Sequence, residues 1–208
     1  MLNRLLSLYY KQNRSGKTPL EDFTTEALAG VLESNDQLKV EFLSDFLKLP
    51  TDNYTIITQK KYFLEGDVDC IIDLALIGEK NVCFIENKVH SSEGDRQLER
   101  YASVLDSITA DEEYLLYCTK YTDPKTIKDH NFKQFRRHQI VHFLERYRDQ
   151  TIANEFNGFL NKRTYDERAW LGALEWHMCL KFCVKLNNII LKNYNLRYAR
   201  FRGKKFIV

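Results

Sequence analysis

Proline and glycine are scarce, at three and eight among 208 residues. A chain so poor in both is neither collagen-like nor a low-complexity linker. An excess of charge of one sign is also lacking. The 31 Lys and Arg against 29 Asp and Glu leave a formal net charge of +2. Bulk charge therefore neither demands nor excludes a polyanionic partner, and local clusters must decide. No apolar run approaches the roughly 20 residues needed to cross a bilayer, so no membrane partner is expected. Met1 to Lys17 places Leu2, Leu5, Leu6 and Tyr9 at helical spacing among Arg4, Lys11 and Arg14. It lacks the continuous apolar block and small-residue cleavage site of a secretory signal. There is no glycine-rich phosphate loop of the Walker type and no internal repeat. The five cysteines (Cys70, Cys83, Cys118, Cys179 and Cys183) include no C-x-x-C pair. Their odd number and apolar surroundings read as reduced core thiols, with a cytoplasmic location as the expectation.

What remains is an ordinary packed chain, 44% hydrophobic and 29% charged. The pattern up to Leu49 is helical. Phe23, Ala27, Leu28, Val31 and Leu32 share one face, with Glu21 and Asp22 in the first turn after Pro19. A second helix is expected over Leu38–Leu47, closed by Pro50. From Tyr54 the composition turns β-branched and aromatic, predicting strands over Tyr54–Phe63, Val68–Ile77 and Val82–Val89, the last two joined by the tight turn Gly78-Glu79-Lys80-Asn81. A helix over Ser91–Ser107 and a strand over Glu113–Thr119 follow. Gln139–Phe143 is a short strand candidate, Glu155–Leu160 and Glu167–Leu191 read as helices, and Tyr194–Val208 as a strand or hairpin. A helix between the third and fourth strands permits a parallel crossover. The expected class is α/β, a mixed β-sheet flanked by helices, with a core over residues 1–145 and a helical C-terminal extension over 146–208 packed on it.

The chemistry concentrates in Ile72-Asp73-Leu74 and Ile85-Glu86-Asn87-Lys88. Glu86 and Lys88 are two apart on a strand and emerge on one face. Folding the hairpin about Gly78–Asn81 sets Ile77 against Val82 and, counting back, Asp73 against Glu86. Directly opposed residues have Cβ atoms about 5 Å apart. Two carboxylates that close repel unless a cation lies between them, and a hard divalent ion takes oxygen ligands of this kind. Lys88 beside them suits stabilisation of charge on an attacking hydroxide or a phosphate, the arrangement of metal-assisted phosphodiester hydrolysis. The competing reading is a cross-strand ion-pair cluster with no chemistry. Asp69, four residues before Asp73, is the rival aspartate, with a supporting role as its alternative.

The run Ile72-Asp73-Leu74, Ile85-Glu86-Asn87-Lys88 and Gln97-Leu98-Glu99-Arg100-Tyr101, preceded by Glu21-Asp22-Phe23-Thr24-Thr25-Glu26-Ala27-Leu28, resembles the PD-(D/E)XK nuclease superfamily over about residues 20–120. It is closest to the branch with an IDL…IENK…QLERY signature. No proline precedes Asp73, where Ile72 stands instead. The resemblance implies a restriction-endonuclease-like fold and hydrolysis of phosphodiester bonds, in DNA first of all, in bacterial restriction or anti-phage defence. It implies Asp73 and Glu86 as ligands of Mg2+, with Mn2+ as a substitute, and Lys88 as the residue that positions or activates water. It further implies Glu26 completing the acidic site from the first helix, directly or through water, and Gln97 at the metal water, Lys88 or a phosphate. Tyr101, one turn from Gln97, shares its face and lies on the apolar stripe, so core packing competes with a polar role.

Nucleic-acid contact is expected from Lys60, Lys61, Arg96 and Arg100. Lys133, Arg136-Arg137-His138 and the basic residues of the tail are further candidates. A homo-oligomer or a partner subunit is compatible with all of this. The alternative function is a catalytically silent module of the same fold that binds nucleic acid or a partner, against which the complete Asp73, Glu86 and Lys88 set argues.

Overall fold

A computed structural model describes residues 20–64, 66–89, 94, 96–165, 198–201 and 204–207. The expected helices before residue 20 and over Glu167–Leu191, the start of the Ser91–Ser107 helix, and Cys179 and Cys183 lie outside the described residues.

Helix α1 (Leu20–Glu33) carries the predicted apolar face. Helix α2 (Asp36–Glu41) starts at Asn35, whose side chain accepts the Leu38 N–H. A π-helical turn over Phe42–Phe46 extends it, and the segment ends at Lys48 in a left-handed conformation, φ 59°, before Pro50 is reached. Strands β1 (Thr55–Tyr62), β2 (Cys70–Ile77) and β3 (Asn81–Lys88) form an antiparallel meander. Helix α3 (Gln97–Asp106) crosses over to β4 (Glu112–Thr119), which pairs with β3 in parallel, and β5 (Lys133–Arg136) adds in parallel to β4. The sheet order is β1-β2-β3-β4-β5, the mixed sheet expected. Helix α4 (Arg137–Leu144) and helix α5 (Thr151–Tyr165) complete the core. The tail forms a two-stranded antiparallel hairpin, β6 (Tyr198–Phe201) with β7 (Lys204–Ile207).

One element corrects the sequence reading. Gln139–Phe143 belongs to α4, not to a strand, and the fifth strand lies just before it at Lys133–Arg136. The physical reason is in the burial. Arg137, Ile140, Val141 and Leu144 are all buried, the i, i+3, i+4, i+7 spacing of one helix face.

The sheet separates two apolar layers. One packs α1, α2, α4 and α5 against Leu74, Leu76, Cys83, Ile85, Leu116 and Cys118. The other packs α3 against Ile72, Ala75, Phe84, Leu115 and Tyr117. At about 1.5–3 kcal/mol for each large side chain fully buried, these layers dominate the stability of the core. Three thiols, Cys70, Cys83 and Cys118, are buried and free, as expected, and burial pushes Cys118 up to about 12. Among the described residues no helix is long and apolar enough to cross a membrane.

The register that places the site is held by Asp52. Its Oδ1 accepts the Glu79 N–H at 3.0 Å, and its Oδ2 accepts the Lys80 and Asn81 N–H groups at 3.0 Å and the Asn81 side-chain amide at 2.9 Å. Gly78 is dictated by this clasp, since a Cβ there would meet Asp52 Oδ2 at 2.2 Å. The Lys80 N–H above all, with those of Glu79 and Asn53 and the Asn81 amide, holds the Asp52 carboxyl well below the usual carboxylate range. A lowered value means stability present above the unfolded carboxylate value of about 3.9 and lost as pH falls through the folded value. Asp52→Asn is therefore expected to lower the thermal midpoint at pH 7. The gap to wild type should close progressively below about pH 4. A gap that stays constant down to pH 2 in paired melting curves would contradict the role given to the charge.

Candidate active site

The β2–β3 ladder runs from Ile77↔Val82 to Leu74↔Ile85, the register counted from the turn. Next in line stand Asp73 and Glu86. There the sheet departs from regularity. On β1, Gln59 takes a left-handed conformation, φ 50°. The β1–β2 pairs Thr58↔Leu74 and Lys60↔Ile72 bracket it, so Gln59 stands opposite Asp73. In a regular strand Ile72 and Leu74 would share a face. Here Ile72 packs on the α3 side and Leu74 on the α1 side. Both strands thus turn over at one matched position, and β2 parts from β3 beyond it.

The side chains take over the lost backbone bonds. Asp73 Oδ2 accepts the Asn87 N–H at 2.9 Å, and Asp73 Oδ1 accepts a Gln59 Nε2–H at 3.2 Å. Tyr101 Oη lies against both the Ile71 carbonyl and, at 2.6 Å, Glu86 Oε2. Its single proton serves one of these acceptors at a time. Gln97 Nε2 donates to Tyr101 Oη at 3.1 Å. Tyr101 is completely buried, so it serves the core and the polar site together. Among the described residues Gln97 reaches Glu86 through that hydroxyl, and its Oε1 accepts the Gly94 N–H at 3.2 Å. It forms no direct bond to Lys88 among the described residues.

Glu86 is 1% exposed, and Lys88 Nζ lies 2.5 Å from its Oε1. That oxygen has the ammonium as an ion-pair neighbour but no well-directed hydrogen bond. Asp73 and Glu86 are near enough to interact directly. Burial, and next the Glu86 charge, pushes Asp73 up to about 8. Burial likewise raises Glu86, outweighing Lys88 and Tyr101. Burial pulls Lys88 down, yet the charges of Glu86, Asp73 and Glu21 hold it above its ordinary value.

The buried Glu86, the half-buried Asp73 and one ammonium leave an uncompensated negative charge when both acids are ionised. Buried charge of that kind is costly unless neutralised. A proton does so in the chain alone. A hard divalent cation suits the same oxygen-only donor set, and Glu86 Oε1 is a buried acceptor lacking a directed donor. Asp73 and Glu86 are the residues that fit such an ion. Among the described residues no three His, Cys, Asp or Glu side chains converge on one point. Glu26 accordingly does not join them. Its Oε1 accepts the Thr58 hydroxyl at 2.6 Å from α1, on the sheet face opposite Glu86 and α3.

The remaining candidates disperse. Asp69 precedes β2 and pairs with Lys61 at 3.0 Å, away from Glu86. Lys60 lies over the Tyr62 ring and Lys61 over that of Phe63. Arg96 is exposed and pairs with Glu99 at 2.8 Å, and Arg100 is half-buried on α3. Arg137 is corrected outright as a surface contact. It is 1% exposed and its Nη2 donates to Asn87 Oδ1 at 3.4 Å. The Asn87 amide also donates to Thr25 Oγ1 at 3.0 Å, tying the strand between Glu86 and Lys88 to α1. Glu21 Oε1 accepts the Val89 N–H at 2.9 Å just beyond. Gln59, Asn87 and Glu21 were not singled out from the sequence. The signal for Asn87 was a polar residue inside an apolar strand, and for Glu21 its place five residues before Glu26 on the same helix.

No curated protein and no solved structure matches the chain at a significant level. A model of the PD-(D/E)XK nuclease superfamily does match, over residues 13–165, which takes in the helix of Glu26, the whole five-stranded sheet, the Asp73–Glu86–Lys88 cluster and α5. With that match over most of its length and the mixed sheet of a restriction-endonuclease-like fold, the chain belongs to the PD-(D/E)XK nuclease superfamily.

Proposed function

We propose that the chain is a metal-dependent nuclease that hydrolyses phosphodiester bonds in DNA, with Mg2+ as its working ion and Mn2+ as a substitute. The observation that carries this reading is the approach of two carboxylates from adjacent strands, Glu86 buried and Asp73 half-buried, with a lysine beside them. When bound, the ion would neutralise charge on the phosphate and lower the pKa of a coordinated water.

The chain's own groups do the rest. Asp73 and Glu86 present oxygens from either side of the parted strands. Asp73 is oriented by Gln59 and by the Asn87 N–H, and Glu86 by Tyr101, which Gln97 steadies. Lys88, 13% exposed at the mouth of the site, places its ammonium where an attacking water and a phosphate oxygen would meet. Glu26 acts in this reading as the acceptor that holds the Thr58 hydroxyl and not as a third direct ligand. A setting in bacterial restriction or anti-phage defence is proposed on family resemblance alone.

The test is cleavage of plasmid and linear DNA with magnesium, with manganese and with chelator, beside Lys88→Ala. Cleavage that survives chelation, or that persists in the variant, would sink the reading.

A further inference from the structure

Glu86 and Lys88 do not stand alone on their face of the sheet. The parallel register aligns Lys88 with Thr119 on β4 and Thr119 with Arg136 on β5. In-register residues of a parallel sheet project to the same face, so Lys88, Thr119 and Arg136 form one row across the C-terminal ends of three strands. Crevices outside these ends are where open α/β sheets take their ligands.

Such a crevice is present at the far end of the row. A cleft of about 220 Å³ is lined by Thr119, Thr122, Asp123, Gln134, Arg136 and Gln139, with Pro124 and Phe135. Most of its polar groups are already used. Asp123 accepts the Tyr117 hydroxyl at 2.7 Å and pairs with Lys125 at 3.3 Å, so its charge is compensated. Gln134 is held at both ends, by the Lys125 N–H and the Asp123 carbonyl. Thr119 Oγ1 donates to the Tyr121 carbonyl.

What is left over is donors. Gln139 Oε1 accepts the Arg136 N–H at 2.7 Å, which leaves the Gln139 Nε2 donors without a partner among the described residues. The exposed Arg136 guanidinium forms no ion pair among the described residues. Arg136 is also the N-cap of the eight-residue α4, so the positive end of that helix faces the same cleft. A guanidinium, an amide and a helix N-terminus around one opening suit an anion with several oxygens. The cleft is smaller than the roughly 300–1,000 Å³ that encloses a whole small-molecule ligand. It suits one group of a longer chain.

Resting on the nuclease reading above, we propose that this cleft binds a backbone phosphate of the same DNA strand, flanking the bond to be cut. Two inter-strand spacings of about 4.8 Å separate Lys88 from Arg136. With consecutive phosphates of one strand on the order of 7 Å apart, the resulting separation of about 10 Å places the cleft roughly one to two phosphates from the bond to be cut. Arg136 therefore sets the register of the strand over Lys88 without touching the reacting phosphate.

The experiment is equilibrium binding of a labelled 20-base-pair duplex, and of its single strand, to the full chain in chelator over a salt series. The proteins are wild type, Arg136→Ala, Arg136→Lys and Arg148→Ala, the last an exposed arginine that pairs with Glu145 outside the cleft. Arg136→Ala is expected to weaken binding about 5- to 10-fold and to reduce the salt slope by about one. Arg136→Lys should recover most of both, and Arg148→Ala should match wild type. With magnesium present, Arg136→Ala should raise KM more than it lowers kcat. An Arg136→Ala slope and affinity equal to wild type, or no binding of either oligonucleotide by wild type, overturns the proposal. If the slope changes as stated and wild type never cleaves, the cleft stands and the nuclease reading falls. If wild type cleaves and the slope is unmoved, the reverse holds.

Discussion

Alanine in place of Lys88 is expected to lower DNA cleavage by at least about 1,000-fold, roughly 4 kcal/mol of transition-state stabilisation. The size follows from where the ammonium sits. It is 13% exposed and pairs with a carboxylate that is 1% exposed, so its charge acts in a medium far less screening than water. Glu86→Gln should cost a similar factor for a different reason, since it removes one of the two acidic donors to the ion and leaves Lys88 without its partner. Asp69→Asn is the informative contrast. Asp69 pairs with Lys61 at the exposed end of β1 and should retain activity within about 3-fold. Initial rates on linear DNA at saturating magnesium check all three. Equal losses in Asp69→Asn and Glu86→Gln would mean that the wrong aspartate has been assigned.

The second large effect appears in stability. Asp73 is pushed up to about 8 by burial and by Glu86, against about 3.9 in an unfolded chain. Between those values the folded, metal-free protein holds a proton that the unfolded chain releases. Its stability should therefore fall as pH rises from about 4 to 8 and level off above. A divalent ion competes with that proton and should stabilise the protein more at pH 8 than at pH 6. Asp73→Asn removes the half-buried charge beside Glu86. Its amide oxygen can still accept the Asn87 N–H, and the Gln59 amide can turn over to meet its Nδ2–H. In chelator at pH 8 the variant should melt at least about 3 °C above wild type, roughly 1 kcal/mol for a chain of this size. Magnesium should raise the wild-type midpoint and leave the variant unmoved. A variant less stable than wild type in chelator, or an equal response of both to magnesium, would contradict the linkage.

The essential pairing was legible because a tight turn and a period of two suffice to count across a hairpin. Gly78–Asn81 fixes Ile77 against Val82, and the ladder keeps the counted register as far as Leu74↔Ile85, one step short of Asp73 and Glu86. The departure at that point was not legible. A left-handed Gln59 is disfavoured by local sterics and is held by tertiary contacts, among them its own bond to Asp73. The same limit explains Arg137. Adjacent Arg136, Arg137 and His138 read as one surface patch, yet the helix beginning there turns Arg137 into the core towards Asn87 and leaves Arg136 at the cleft. Lys133–Arg136 escaped notice as a strand because an edge strand of polar residues carries little apolar signal. Gln139–Phe143 was misread because a short apolar run fits both periods until its neighbours Arg137 and Leu144 are counted. Tyr101 illustrates why a core role and a site role need not compete, since its ring fills the α3 layer and its hydroxyl reaches Glu86.

The central claim is that Asp73 and Glu86 jointly hold one divalent ion. A calorimetric manganese titration in the absence of DNA, at pH 8, addresses it without reference to substrate. Wild type should take up one ion per chain, with a heat that changes between buffers of different ionisation enthalpy because a proton leaves. The Asp73→Asn, Glu86→Gln double variant should take up none. Uptake by the double variant equal to that of wild type, or no uptake by wild type, would contradict the account.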